Sequence, residues 1–364
     1  MSDSATQFAA VIAAAGAFVD PLVGGTLAER NVGLELSQGQ TMPLLRVTLG
    51  FPAAGYWEAF GQRLGDHLAQ QCPGVEIEIR VAWKVGARAS SGGPAALPAV
   101  KNVIAVASGK GGVGKSTVAA NLALALLAEG ARVGILDADI YGPSQPRMLG
   151  VTGERPRSPD DNKLVPIPAH GLQAMSIGFL VNENEPTVWR GPMATQALSQ
   201  LFSQTLWQDL DYLIVDLPPG TGDIQLSLAQ RIPVSGAVIV TTPQDIALLD
   251  ARKGLEMFRK VSVPVLGVVE NMSMYTCSNC GHREAIFGEG GAERLAAEAG
   301  TEVLGHLPLD RHIREQADGG TPTVVADAEG DNARAYRDIA RRAAARLAYG
   351  VPADAFPSIE MLDD

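Results

Sequence analysis

The chain has 364 residues, of which 46% are hydrophobic and 19% charged. This balance excludes wholesale disorder and supports a large core, and the length corresponds to two or three domains. The 40 acidic residues outnumber the 29 basic ones, and the formal net charge of −11 argues against general binding to nucleic acid or to an anionic membrane.

The first residues differ from an export signal. The first basic residue is Arg30, and Asp3 stands where a signal peptide carries positive charge. The apolar stretch at 8–19 is too short and too rich in alanine to span a bilayer. We therefore expect a cytoplasmic protein with no membrane partner, whose thiols stay reduced.

Residues 1–85 are predicted to form a small α+β domain. Three segments alternate apolar with polar residues, which is typical of half-buried strands. These segments are residues 32–36, 45–51 and 75–83. Phe60, Leu64 and Leu68 recur every four residues, as they would on one face of a helix.

A flexible linker is predicted at 86–99. Between Gly86 and Pro98 the sequence lacks aromatic residues, has almost no charge and shows no hydrophobic periodicity. At the other end of the chain, residues 351–364 are predicted to be a solvated acidic tail, to which we assign no role.

Residues 100–350 are predicted to form a parallel sheet with helices on both faces. Apolar, β-rich runs alternate with longer segments that are compatible with helices, which is typical of buried parallel strands. The runs are 103–107, 133–136, 212–215, 237–240, 265–269 and 303–304. The helical segments include 115–129, 246–260, 291–299 and 333–347.

A phosphate-binding loop is predicted between the first of these runs and the first helix. Residues 109–116 match the pattern G-x-x-x-x-G-K-[ST] in a strand–loop–helix context. The glycines let backbone N–H groups converge on phosphate oxygens, Lys115 supplies charge for the β- and γ-phosphates, and Ser116 can ligate Mg²⁺. The residues predicted to bind the nucleotide are Gly109, Lys110, Gly111, Gly112, Val113, Gly114, Lys115, Ser116 and Thr117.

Acidic residues follow the strands beside this loop. Asp137 and Asp139 end the second run, at the edge where open α/β sheets bind ligands. Asp216 ends the third run and is positioned to hold Mg²⁺ through water. It leads into a proline- and glycine-rich loop at 217–223 that could sense a γ-phosphate, although Asp223 could equally cap a helix or turn.

Cys277 and Cys280 form a C-x-x-C pair, whereas Cys72 is isolated in the other predicted domain. Two thiolates at this spacing can bind one soft metal but supply only half of a four-thiolate set. Two chains that face each other across a two-fold axis would complete the set. Four thiolates suit a [4Fe–4S] cluster or a Zn²⁺ ion, and a thioredoxin-like redox pair is a further alternative. His282 is expected to be a surface residue.

The phosphate loop contains a second lysine, Lys110. With it, residues 110–116 read K-G-G-V-G-K-S and resemble the deviant Walker A ATPases, a group that includes MinD, ParA, the nitrogenase iron protein and Mrp. The resemblance implies that Lys110 reaches the nucleotide of a partner subunit, so that homodimer formation depends on nucleotide. It also implies that Asp139 orients or activates the attacking water. The alternative for Lys110 is a lysine in solvent.

Further motifs make the resemblance more specific, because they match the Mrp/ApbC family in sequence and in order. They read DADIYGPS at 137–144, WRGPM at 189–193, DLPPGTGD at 216–223, ENMS at 270–273 and IFGEGG at 286–291. The resemblance covers about 100–345 and implies a P-loop ATPase that holds and transfers iron–sulfur clusters. Ser278 stands where the family usually has proline, and this is expected to affect loop rigidity more than ligand identity.

The same resemblance implies further roles. Asn271 would hydrogen-bond adenine, since its amide offers both a donor and an acceptor, and Pro308 would line the base pocket. The catalytic residues would be Lys110, Lys115, Asp139 and Asp216. Residues 1–85 resemble the small domain that is often fused upstream in bacterial members and found alone among iron–sulfur assembly factors.

These observations together predict a homodimeric ATPase that binds ATP and Mg²⁺. It would carry a cluster, preferably [4Fe–4S], between two Cys277/Cys280 pairs and transfer it to apo iron–sulfur proteins, in concert with assembly factors. Slow hydrolysis would move segments near Asp139 and Asp216 and so control loading or release. Two alternatives remain: a MinD/ParA-like positioning ATPase, and a nucleotide-controlled scaffold with a structural zinc.

Overall fold

The computed structural model describes residues 2–39, 42–88, 97–160, 163–180 and 191–350, without the side chains of 2–6, 191, 192, 194 and 223. Three predicted features therefore lie wholly or mostly outside the described residues. They are the acidic tail at 351–364, residues 89–96 of the linker, and the first two residues of the WRGPM motif, Trp189 and Arg190.

The first region is a small three-stranded sheet with two helices. Its elements are α1 (Ser2–Ala17), β1 (Val19–Asp20), β2 (Gly25–Thr26), β3 (Gly33–Gln38), β4 (Pro43–Leu49), α2 (Trp57–Gln71) and β5 (Glu78–Trp83). β4 pairs antiparallel with β3 and parallel with β5. Phe60, Leu64 and Leu68 form the buried face of α2, as their spacing predicts. None of the helices in the described ranges is both long and apolar enough to cross a membrane.

The second region contains the remaining elements. They are β6 (Val100–Ala107), α3 (Lys115–Ala128), β7 (Val133–Asp137), α4 (Gln145–Met148), β8 (Ile167–Ala169), β9 (Leu172–Ser176), a 3-10 turn (Ile177–Phe179), α5 (Gly191–Gln204), β10 (Leu210–Asp216), α6 (Asp223–Arg231), β11 (Gly236–Thr241), α7 (Asp245–Lys260), β12 (Val265–Glu270), β13 (Tyr275–Thr276), β14 (Arg283–Glu284), α8 (Gly291–Glu298), β15 (Val303–His306), α9 (Arg311–Asp318), α10 (Thr323–Ala326) and α11 (Asp331–Tyr349).

An eight-stranded sheet forms the centre of the second region. Its order is β15–β12–β11–β6–β10–β7–β9–β8, and every neighbouring pair is parallel except β8 with β9. The six apolar runs of the sequence are six of its strands, and the β8–β9 hairpin extends the sheet beyond the prediction. The predicted α/β class is confirmed.

Alternate residues of the central strands face opposite layers. Ile104 and Val106 of β6 pack in a core cluster with α3 and α11, whereas Val103 and Ala105 pack in a second cluster with α5, α7 and α8. Since helices cover both faces, all positions of β6 from 102 to 107 are buried, which explains the continuous apolar run at 103–107.

The first region packs directly against α3 and α11. The Gly50 N–H donates to Tyr349 Oη over 2.8 Å, and the Gly55 N–H donates to Glu129 Oε2 over 2.9 Å. Gly130 leaves no room for a side chain, because a Cβ there would lie 2.8 Å from the indole of Trp83. One apolar cluster includes core residues of both regions. The domain limits at 85, 99 and 350 stay a prediction.

The strand order explains where a site forms. β10 lies between β6 and β7, and all three run parallel, so their carboxyl ends meet at one edge of the sheet. The phosphate loop follows β6, while Asp137 and Asp216 end the other two strands. Open α/β sheets bind ligands at this kind of edge.

Candidate functional site

The phosphate loop connects β6 to α3 in a conformation that needs glycine. Gly112 has φ of +83° and Gly114 has φ of +81°, the left-handed region that other residues adopt only with strain. Gly114 immediately precedes the first turn of α3. The first N–H groups of α3 have no partner within the helix and carry its positive dipole end, so they form an anion site.

Neighbouring elements hold the loop in place. At Gly109 the backbone of α7 approaches so closely that a Cβ would lie 2.1 Å from the carbonyl carbon of Asp250. On the other side, Asn271 Nδ2 donates to the Val113 carbonyl over 2.9 Å. The same amide nitrogen would lie 2.2 Å from a Cβ at Gly114. The structure therefore places Asn271 against the loop itself.

Lys115 lies in a ring of acidic and hydroxyl oxygens. Its ammonium donates a short hydrogen bond to Asp216 Oδ1, a second to Ser116 Oγ over 3.1 Å, and lies 3.9 Å from Asp139 Oδ2. Only 5% of its side chain is exposed, and that of Asp216 is fully buried. The predicted phosphate lysine and two predicted acids are thus brought together.

Asp137 is buried behind this ring and organises the loop that follows β7. Its carboxylate accepts hydrogen bonds from the backbone N–H groups of Asp139 and Gln145, each over 3.1 Å, and from Ser176 Oγ over 3.0 Å. Burial, and then the neighbouring charge of Asp216, raise the pKa of Asp137 to about 7. Near neutral pH, this site therefore tends to hold less negative charge than three ionised carboxylates would.

The donor set fits a magnesium ion. Asp139 Oδ1 is buried and accepts no hydrogen bond from the part of the chain that the structure describes, so it has a lone pair available for a cation or its water. Burial raises the pKa of Asp139, and the charge of Lys115 opposes that rise. Carboxylate and hydroxyl oxygens are the ligands that Mg²⁺ prefers. Asp139, Asp216 and Ser116 could hold the ion or its waters.

Gln145 connects Asp216 to the start of α3, and the sequence motifs did not single it out. Its Nε2 donates to Asp216 Oδ2 over 3.0 Å and to the Ser116 carbonyl over 2.9 Å. The residue directly follows the DADIYGPS motif, and this adjacency was the available signal. Ser176, the donor to Asp137, comes from β9 and had no such signal in the sequence.

The remaining predicted residues lie around the loop. Lys110 is partly exposed and Gly111 is exposed, so this end of the loop faces outward. Ser108 Oγ donates to the Lys110 carbonyl over 2.9 Å. Thr117 lies in the first turn of α3. Pro308 is partly buried just beyond β15, which neighbours the strand that leads to Asn271.

The segment after β10 is attached to the phosphate loop. The Gly220 N–H donates to the Ser108 carbonyl over 2.9 Å, and Gly220 itself has φ of +103°. Gln225 Nε2 donates to the Pro218 carbonyl over 2.5 Å. A change in the loop can therefore be transmitted to this segment. The side chain of Asp223, for which a capping role was considered, lies outside the described part of the structure.

The cysteine pair lies on a small hairpin. β13 and β14 are two residues each, and between them the Cys277 N–H donates to the His282 carbonyl while the Gly281 N–H donates to the Cys277 carbonyl. Cys280 is exposed, Cys277 partly buried and His282 exposed. The hairpin thus carries one exposed and one partly buried thiol on a tight turn.

The hairpin favours a thiolate. The backbone N–H groups of Asn279 and Cys280, and then the Cys280 thiol, lower the pKa of Cys277. Among the described residues, no third cysteine, histidine or carboxylate joins Cys277 and Cys280 in a cluster that could hold a metal ion. Cys72 ends α2 in the other region. One copy of the chain therefore supplies two thiol ligands at this hairpin.

Nearly the whole second region matches one family. A sequence model of the ParA family, described as NUBPL iron-transfer P-loop NTPase, matches residues 99–344. An "iron-sulfur cluster carrier protein" of Haemophilus influenzae is 57% identical over 307 residues, which are 83% of this chain and 82% of that protein. An alignment of that length cannot fit within residues 99–364, so part of it lies in the first region.

Solved structures share the fold. A nucleotide-binding protein from Archaeoglobus fulgidus in complex with ADP is 39% identical, with a TM-score of 0.56 over 64% of this chain and 90% of that one. The cell division ATPase MinD of Pyrococcus furiosus has a TM-score of 0.51 over 66% of this chain and 97% of that one. It is 23% identical, so this second likeness is one of fold alone. The predicted P-loop NTPase fold is confirmed.

Proposed function

Because the chain belongs to the ParA family of iron-transfer P-loop NTPases, we propose that it is an ATP-hydrolysing iron–sulfur cluster carrier. Its cargo would be a [4Fe–4S] cluster, bound between the Cys277/Cys280 pairs of two chains and delivered to apo iron–sulfur proteins. Cluster assembly factors would supply it. The relative from Haemophilus influenzae, which is named an iron–sulfur cluster carrier protein, supports an iron–sulfur cluster as the cargo.

The observation that carries the proposal is the incomplete ligand set on the cysteine hairpin. Cys277 and Cys280 are accessible, and the pKa of Cys277 is lowered. No third ligand is clustered with them within the described ranges. A four-thiolate cluster needs two more thiolates, which a second copy of the hairpin would supply across a two-fold axis.

Some exposed apolar residues lie on segments that follow strands of the central sheet, at the edge that carries the site. They are Tyr141 after β7, Leu180 after β9, and Ile246 and Leu249 after β11. A second chain that docks at this edge would cover them. The outward position of Lys110 suits contact with a nucleotide bound to the other chain.

The nucleotide site supports hydrolysis of ATP with Mg²⁺. The N–H groups at the start of α3 and the Lys115 ammonium would hold the phosphates, which would draw Lys115 away from Asp216. Bound Mg²⁺ would supply positive charge for the phosphate oxygens. Asp139, with its free buried oxygen, would orient the attacking water or a water bound to the ion.

A short path connects the nucleotide site to the cysteine hairpin, and we propose that it couples hydrolysis to cluster release. Asn271 touches the phosphate loop through Val113. Two residues later, the Ser273 N–H donates to the Leu307 carbonyl over 2.9 Å. Tyr275 then bridges Leu309 and opens the hairpin that ends in Cys277 and Cys280. Movement of the phosphate loop would be transmitted to the thiols through residues 271–276.

Anaerobic reconstitution tests the proposal. Purified protein would be incubated with ferrous iron and sulfide, freed of excess reagents, and assayed for iron, sulfide and visible absorption. We expect about two iron atoms per chain, since four are shared by a dimer. Cys277→Ser/Cys280→Ser should hold almost none while still binding ATP. Cys72→Ser is the matched control and should load like the wild type.

Transfer is measured with an apo iron–sulfur enzyme whose activity reports the arrival of a cluster. Loaded wild-type protein should restore that activity, and the double cysteine variant should not. Equal iron in wild type and in the double variant would overturn the proposal. Zinc that survives purification and excludes iron would favour the scaffold alternative, and ATP-dependent binding to vesicles or DNA without iron would favour the positioning ATPase.

A further inference from the structure

A histidine lies between two carboxylates on a different part of the same sheet edge. His306 ends β15, Glu270 ends the neighbouring β12, and Glu293 is in the first turn of α8. His306 Nδ1 lies 3.0 Å from Glu270 Oε2, and His306 Nε2 lies 3.0 Å from Glu293 Oε1. One potential ligand atom of each residue lies within 4.8 Å of the other two.

The buried carboxylate fixes the orientation of the ring. The Glu270 side chain is 4% exposed, and its Oε1 accepts a hydrogen bond from the Ala292 N–H over 3.0 Å. Its Oε2 is therefore directed at Nδ1 of His306, where it favours the tautomer that carries its proton on that nitrogen. In the neutral ring, Nε2 then has a free lone pair on the accessible side, beside Glu293.

This order of groups suits a metal ion. Histidines that ligate metals usually donate their other ring N–H to a carboxylate, which orients the ring and makes the ligating nitrogen more basic. Two ligands held at about 2.0–2.2 Å from one ion lie within about 4.4 Å of each other. Nε2 and Glu293 Oε1 already satisfy this limit, and the exposed Glu293 side chain can rotate to admit an ion between them.

Charge favours a cation at this position. Two carboxylates face one imidazole, so the group has net negative charge when the ring is neutral. Glu270 raises the pKa of the His306 ring, so the surroundings favour positive charge at this position. A divalent ion would provide that charge.

We propose that His306 Nε2 and Glu293 bind a divalent transition-metal ion of the Zn²⁺ or Co²⁺ type, with Glu270 as the carboxylate that positions the ring. Water would complete the coordination, since two protein ligands leave positions open. Imidazole and carboxylate together suit this class of ion better than the sulfur-preferring copper(I). The site is separate from Cys277 and Cys280.

An ion at this site would link the elements on either side of the cysteine hairpin. α8 begins eleven residues after Cys280, and β12 leads through Asn271 into the segment before Cys277. Metal bound between His306 and Glu293 would hold α8 against β15. The proposal does not depend on cluster binding, because none of its ligands is a cysteine.

Calorimetric titration of Co²⁺ tests the site in the Cys277→Ser/Cys280→Ser background, where the thiols no longer compete. Protein stripped by a chelator is titrated without nucleotide and with excess Mg²⁺, which competes with Co²⁺ for the carboxylates of the phosphate site. We expect one Co²⁺ per chain, together with the visible absorption of a bound ion. His306→Gln and Glu293→Gln should each weaken binding by more than about 100-fold.

Two further variants separate ligation from a structural effect. Glu270→Gln should weaken binding by about 10–100-fold, since it removes the charge behind the ring but leaves an acceptor for its N–H. His312→Asn is the control, because His312 is also exposed beside a carboxylate, with Nδ1 3.0 Å from Asp310 Oδ1, yet belongs to no candidate metal cluster in the described chain. It should bind Co²⁺ like its parent.

The thermal unfolding midpoint provides a second readout if a variant folds poorly. Co²⁺ should raise the midpoint of the parent and of His312→Asn, and leave that of His306→Gln unchanged. Unweakened binding in His306→Gln, or no binding to the parent at millimolar Co²⁺, would overturn the proposal. Either result would leave the cluster proposal intact, because the cysteines are absent from this experiment.

Discussion

The phosphate loop and the cysteine hairpin differ in how completely one chain builds them. Around the loop, Lys115, Asp137 and Asp216 are buried and hydrogen-bonded by side chains and backbone of neighbouring elements. The hairpin consists of two strands of two residues, and its two cysteines are partly buried and exposed. The contrast teaches that one chain can organise the nucleotide site before its ligand arrives, whereas the hairpin of one chain supplies only two thiols and, in our proposal, needs a second chain to complete the ligand set.

Replacing Lys115 tests the self-contained site most severely. Lys115→Ala should reduce ATP hydrolysis by about 10²–10³-fold or more, because it removes the positive charge directed at the phosphates. Phosphate release under saturating ATP measures the effect. Lys260→Ala, at the exposed end of α7, is the control and should hydrolyse ATP normally. Unchanged iron loading in Lys115→Ala would sharpen the distinction between the two sites.

Replacing Asp139 should separate ATP hydrolysis from ATP binding. Asp139→Ala is expected to lose hydrolysis to a similar degree but to retain ATP and Mg²⁺, since Lys115, Ser116 and Asp216 remain. Phosphate release and calorimetric titration of ATP measure the two properties on one preparation. Undiminished turnover in this variant would remove Asp139 from the catalytic site.

A matched pair of glycines compares the phosphate loop and the cysteine hairpin directly. Gly114 and Gly281 both have positive φ, of +81° and +72°, so alanine should cost about 1–2 kcal/mol of backbone strain at either position. At Gly114 the added Cβ would also lie 2.2 Å from Asn271 Nδ2, whereas at Gly281 it meets nothing within 4 Å. Gly114→Ala should therefore lose ATP binding as well as stability.

Gly281→Ala should show the strain alone. Its free energy of unfolding, measured with a denaturant, should fall by about 1–2 kcal/mol, and ATP affinity should stay within experimental error of the wild type. A loss of nucleotide binding in Gly281→Ala would show that the hairpin and the phosphate loop are less separable than their packing indicates.

The smallest effect is expected from the ion pairs of His306 in the presence of a chelator. Glu270 raises the pKa of His306 above its ordinary value of 6.5. The ion pairs of the protonated ring therefore stabilise the folded protein fully below about pH 6.5, and this stabilisation is lost as pH rises through the raised pKa. It should amount to at most about 1 kcal/mol, since the ring is partly exposed. His306→Gln should therefore destabilise the protein more at pH 6 than at pH 9, and equal losses at both would contradict the pairing.

The fold was predictable where one local pattern dictates the structure. Continuous apolar runs indicated the six parallel strands, and the glycines and lysine of 109–116 indicated the phosphate loop. The β8–β9 hairpin was not predicted, because its strands at the sheet edge have only three and five residues and provide too short a pattern. Helix α1 was noted only as an apolar stretch, and its buried residue Ala15 packs in the shared core.

Parts of the sites were unpredictable for a different reason. Gln145, Ser176 and the Glu270–His306 pair work through contacts between residues 36 to 71 positions apart in the chain. No single-sequence pattern reports such pairs, because the strand order brings them together. The seam between the two regions has the same origin, since Tyr349 meets Gly50 only through the packing of α11.

The central claim, a cluster shared by two chains, is tested most directly by native mass spectrometry of anaerobically reconstituted protein. We expect a species whose mass equals two chains plus one [4Fe–4S] cluster, absent from the Cys277→Ser/Cys280→Ser variant. When wild-type and variant chains are mixed, the mixed dimers should carry a cluster less often than the wild-type dimers. The reason is that a mixed dimer has only two hairpin thiols. A complete cluster on a single chain, or on mixed dimers as often as on wild-type dimers, would contradict the account.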